Sequence, residues 1–134
     1  MRLGGLRCGR GLGWSVAGSV MLMSQAAFGV SLSVSLKNYY AEYEIVLQCR
    51  ELVQLSAEES GAAGVAMAKI EAYYLERDAS LDKERLLKQA VADKNDSFKI
   101  VGRSGSSGLR PYCRMSLNEL LMKARDVAPE GGNP

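Results

Sequence analysis

The apolar residues of this chain recur at intervals of three and four in four separate stretches, and that rhythm commits it to helices. From about 36 to 55, Tyr39, Tyr43, Val46, Cys49 and Val53 share one face, widened by Ile45 and Leu52. Glu44, Gln48 and Glu51 fall opposite. Ser56-Ala57-Glu58-Glu59 then has the form of a capping box, in which a serine hydroxyl and a glutamate three residues on satisfy each other's free backbone amides. It opens a second helix to about Arg77, with Ala63, Ala66, Met67, Ile70, Tyr73 and Tyr74 on the apolar stripe. Gly61 and Gly64 cost helix stability, which predicts close approach by a neighbouring helix. Val65, Ala68 and Ala72 form a second, small apolar face, a sign of packing on more than one side or of a partner.

Ser80 is the expected cap of a third helix over Leu81–Asp93, with Leu86, Leu87, Ala90 and Val91 inward. Phe98–Val101 alternates and is expected to be extended. Gly102–Gly108 reads as a flexible loop by composition. Ser116-Leu117-Asn118-Glu119 is a second capping box, opening a fourth helix to about Val127 on Leu117, Leu120, Leu121 and Ala124. The expected fold is all-α, one small four-helix domain, with a disordered tail over 129–134.

The first residues read as an address. Arg2, Arg7 and Arg10 precede a run from Gly11 to Leu36 with no charge, and Ala27 and Gly29 supply small residues for cleavage after 29. That is the pattern of a secretory signal peptide over 1–29, which leaves a helical domain over 30–128. An uncleaved membrane anchor and a mitochondrial presequence are the alternatives. Removal of 1–29 leaves 14 of the 17 basic residues against all 15 acidic ones, a net charge of −1. It also removes Cys8. Cys49 and Cys113 remain, and in an oxidising compartment they are expected to form one disulfide closing a long loop.

The chain has no histidine. Imidazole-based nucleophile activation, zinc ligation and proton shuttling are therefore excluded. Ser80 and Lys83 match a serine–lysine acyl-enzyme spacing without that family's other motifs, so Ser80 is read as a helix cap. Asp78, Ser80 and Asp82 begin like a calcium loop, but Lys83 and Gln89 stand where glycine and an acid are needed. No catalytic residue, metal site or cofactor is expected.

Two features point to binding. Between Asp96 and Glu119 there is no acid, while Lys99, Arg103, Arg110 and Arg114 fall there beside Tyr112, a candidate loop for an anionic partner. Tyr40 and Tyr74, each next to a tyrosine assigned to the core, are candidate contact aromatics. A small helical chain with a signal and one disulfide resembles the acid-stress chaperones of the bacterial periplasm in architecture. The cysteine spacing here is longer and no motif aligns, so the resemblance implies no residue role. The expected function is a periplasmic or secreted non-enzymatic binder of a protein or an anionic envelope component, of the inhibitor, immunity or chaperone type. Nucleic acid is not expected as a partner, and membrane contact is expected only through an uncleaved N-terminal segment. The alternatives are a membrane-anchored structural accessory of an envelope assembly and a hydrolase using carboxylates or Ser80 with Lys83.

Overall fold

The computed structural model describes residues 32–103 and 105–128. The expected signal peptide, Cys8 and the tail over 129–134 lie outside the described residues. Within them there are four helices and no strand: α1 over 32–51, α2 over Ala57–Arg77, α3 over Lys83–Gly102 and α4 over Ser106–Asp126.

Local chemistry explains where α2 and α3 begin. The Ser56 hydroxyl accepts from the Glu59 amide at 3.0 Å, and the Glu59 carboxylate accepts from the Ser56 amide at 3.0 Å. Such a box is worth about 1 kcal/mol. α3 is capped by Asp82, which accepts from the Arg85 amide, and not by Ser80, which instead donates to Asp78. The expected start of α3 is thus displaced by two residues. A carboxylate at that position also meets the positive end of the helix dipole.

The larger departures lie between 94 and 116. Phe98–Val101 is helical, not extended, and α3 runs nine residues past its expected end to Gly102. The flexible loop shrinks to a short turn through Gly105, whose φ of 80° is cheap only for glycine. α4 starts at Ser106, ten residues before the expected capping box, and carries Pro111 in its second turn. Proline removes one intrahelical hydrogen bond, so this turn draws support from outside the helix. The Tyr112 ring packs edge-on against Phe98 of α3, centroids 5.6 Å apart, and the next residue, Cys113, is bonded to Cys49 of α1. Ser116, the expected cap, is instead 1% exposed in mid-helix.

The core is built from Leu36, Val46 and Cys49 of α1, Ile70 of α2, and Cys113 and Leu120 of α4, all fully buried. α3 contributes Leu86 and Ala90, while Val91, expected inward, is exposed. α4 packs against both α2 and α3. α1 is tied to all three: by Tyr40 to Glu71 of α2 at 2.8 Å, by Lys37 to Asp93 of α3 at 2.8 Å, and by the disulfide to α4. Glu71 also takes Lys83 at 3.0 Å, so one carboxylate joins α1, α2 and α3. The Cys49–Cys113 bridge has its Cα atoms 5.9 Å apart, within the ordinary range for a disulfide.

Candidate functional site

The two glycines of α2 have different surroundings. A Cβ at Gly64 would meet the Tyr43 hydroxyl at 3.2 Å, so close approach holds there, by a side chain of α1. Gly61 has nothing within 4 Å, and the expected approach does not occur.

The candidate contact aromatics are in the core. Tyr40 is 2% exposed and Tyr74 is 4% exposed, while their neighbours Tyr39 and Tyr73 are half-buried. The expected order within each tyrosine pair is therefore reversed. Tyr40 faces α2 because its hydroxyl has a partner there in Glu71, which allows an aromatic ring to be buried without losing a hydrogen bond. Tyr74 stacks between Tyr73 and Tyr39, with centroids 5.2 and 6.3 Å away. Lys123 of α4 places its ammonium 5.6 Å from the ring centres of Tyr39, Tyr73 and Tyr74, within range of cation–π attraction to all three. These tyrosines join α1, α2 and α4 around one lysine.

Their ionisation sets the response to pH. Burial raises the Tyr40 pKa, and the bonded Glu71 carboxylate raises it further. Burial likewise raises Tyr39 and Tyr112. The Tyr112 hydroxyl is buried without a hydrogen-bond partner of ordinary geometry. Ser97, close by, offsets part of the shift. Burial works to lower Lys123, but the Tyr74 and Tyr39 oxygens outweigh it and the net shift is upward. A group whose folded pKa is raised contributes stability in full below its unfolded value and loses it as pH rises towards the folded value. For tyrosine and lysine the loss begins near pH 10. Among the described residues, Glu59 alone has a resolved shift downward, caused first by the Ser56 amide. Its contribution is lost as pH falls through the carboxylate range. With no histidine in the chain, stability is expected to stay flat from about pH 6 to 9 and to drop above pH 10. Circular dichroism during titration, followed with phenolate absorbance, reads this directly. A sloping profile between pH 6 and 8 would contradict it.

The basic residues of the candidate anionic-partner loop do not lie on an open loop: Lys99 is in α3, Arg103 caps its end, and Arg110 and Arg114 are in α4. Two are engaged: Arg114 pairs with Glu59 of α2, and Lys99 lies 3.7 Å from Asp96. Arg103 and Arg110 are exposed on either side of the α3–α4 turn. Tyr112 is turned inward against Phe98. Lys99 and Arg103 are four residues apart at the end of α3, and Arg110 and Arg114 four apart on α4, so the cations fall as one pair on each side of the turn.

The catalytic candidates are likewise held apart. The Ser80 hydroxyl is bonded to Asp78, and the Lys83 ammonium to Glu71. Among the described residues there is no group of three or more acids or cysteines placed to hold a metal ion, and no helix is long and apolar enough to cross a membrane.

Between α2 and α4 lies a groove of about 800 Å³. Ala62, Val65, Ala66 and Lys69 line it from α2. Asn118, Leu121, Met122, Ala124 and Arg125 line it from α4, and Ala128 from just beyond that helix. Val65 is 61% exposed and Met122 is 53% exposed. Of the second apolar face of α2 read in the sequence, Val65 alone was legible as part of this wall, since Ala68 and Ala72 do not line the groove. The α4 wall was not, because Leu121 reads equally well as part of the core stripe.

No family model matches the chain, and neither the curated proteins nor the solved structures offer a match to it.

Proposed function

We propose that this protein is a small non-enzymatic binding protein of an oxidising compartment, and that the α2–α4 groove is where it holds an apolar segment of another protein. The observation that carries this reading is the pair of large apolar side chains, Val65 and Met122, standing exposed on facing walls of a concave surface. Isolated exposed apolar residues need no explanation, but two converging on one groove form a contact surface. The disulfide supports the compartment, since such bridges persist where thiols are not kept reduced.

Selection from a random peptide library displayed on phage tests the reading. Enriched peptides are expected to be rich in Leu, Ile, Phe or Met, and to bind at least tenfold more weakly to the double variant Val65→Asp, Met122→Asp. Both positions are exposed, so the variant should keep the wild-type melting temperature within a few degrees. Peptides that bind wild type and variant equally would place the site elsewhere and overturn the reading.

A further inference from the structure

The groove has a periodicity that specifies its occupant. Its α2 wall is made by positions 62, 65, 66 and 69; on the α4 side 118, 121, 122 and 125 repeat that set, and 124 and 128 line the groove as well. Each set is i, i+3, i+4, i+7, the set a helix presents along one stripe. The two walls run in the same direction. Glu59 of α2 meets Arg114 of α4 near one end, and Tyr73 and Tyr74 of α2 meet Lys123 of α4 near the other. Two such stripes side by side leave the hollow that a third helix fills with its own side chains. The lined stretch of α2 is eight residues from first to last, about 10 Å, or two turns of an occupant.

Charge adds a second specification. Lys69 ends the α2 stripe and Arg125 holds the matching position on α4, so both lie toward the same end of the groove. Both are exposed, and among the described residues neither forms an ion pair. No acid lines the groove. Near the other end the Arg114 charge is already met by Glu59. The groove is thus apolar along its length and cationic at one end.

We infer, resting on the reading of this groove as a protein-binding site, that its occupant is an amphipathic helix from a partner protein, two to three turns of apolar stripe ending in acidic residues that face Lys69 and Arg125. An extended peptide would match the spacing poorly, because its side chains alternate with period two, and the groove has no sheet edge to bond its backbone. A basic helix would place like charges together at the cationic end.

The test uses the full chain and three synthetic 16-residue helical peptides with the same Leu stripe, ending in three Glu, three Gln or three Lys. Binding is read by fluorescence anisotropy at low and physiological salt. The Glu peptide is expected to bind at least tenfold more tightly than the Lys peptide, with the Gln peptide between them and the difference shrinking as salt rises. The double variant Lys69→Glu, Arg125→Glu should reverse the order, so that the Lys peptide binds best. This reversal is a gain of binding that a misfolded variant would not show. Equal binding of the three peptides, abolished by Val65→Asp with Met122→Asp, would overturn the acidic-helix inference while leaving the groove reading in place. Failure of every peptide, with phage-selected sequences binding in extended form, would overturn the helix alone. If no peptide binds and sedimentation shows a dimer that Val65→Asp with Met122→Asp dissociates, the occupant is a second copy of this chain and both readings fail.

Discussion

Removing the Cys49–Cys113 bridge is expected to lower the unfolding free energy by about 4 kcal/mol. The two cysteines are 64 residues apart, and closing a loop of that length removes about that much conformational entropy from the unfolded chain. A domain of this size has a total stability on the order of 5–15 kcal/mol, so the bridge is a large share of it. The effect acts mainly on the unfolded state, which defines the measurement. Urea unfolding of the oxidised protein and of the Cys49→Ala, Cys113→Ala variant should differ strongly in midpoint. Their folded-state circular dichroism spectra below the transition should agree. Both positions are fully buried, and alanine avoids leaving a buried hydroxyl without a partner. A loss below about 1 kcal/mol would mean that the reduced chain is already held compact by its helices.

The second large effect is expected from Leu120→Ala, a loss of about 2–5 kcal/mol. Leu120 is fully buried on α4, the helix that packs against both α2 and α3. Truncation removes apolar contact and leaves a cavity that three helices would have to shift to close. Leu121 is the control, because it borders the groove and is only half-buried. Leu121→Ala should cost under about 1.5 kcal/mol in the same urea assay, since much of its side chain is already in water. Equal costs at the two positions would mean that α4 is rotated from the register described. Combined with loss of the disulfide, Leu120→Ala is expected to leave a chain that does not fold cooperatively at 37 °C, the two losses together approaching the whole stability of a small domain.

The parts of the fold legible in the sequence share one property: the residues that decide them are close along the chain. The capping box at Ser56 and Glu59, the start of α2 and its stripe of Ala63, Ala66, Met67 and Ile70 all follow from neighbours within one or two turns. The cysteine pair was legible for a different reason, since the count left one pairing once Cys8 was set aside with the expected signal peptide. Gly102–Gly108 was misread because its composition favours a loop, while Phe98 packed on Tyr112 and the bridge at Cys113 hold the flanking residues in helices. Those contacts reach across 14 and 64 residues, beyond any local window. The candidate site divides in the same way. Of the α2 wall only Val65 was visible as part of a second apolar face, and the groove exists only because α4 lies beside it and does not cover it.

The sequence by itself determined that the described residues form an all-helical domain, where α2 begins and ends, which cysteines pair, and that histidine chemistry is excluded. Helical periodicity, capping and residue counts are properties of short stretches or of the whole list, and neither requires knowing what touches what. Only the tertiary structure decided which tyrosine of each adjacent pair is buried, how far α3 and α4 extend, and where the surface is left open. Tyr39 and Tyr40 are both apolar rings on one helix, about 100° apart around its axis, so local pattern cannot choose between them. The choice went to Tyr40 because Glu71, 31 residues away, stands where its hydroxyl needs an acceptor. Burial of a polar group is settled by its partner, and the partner's position is a property of the folded chain alone.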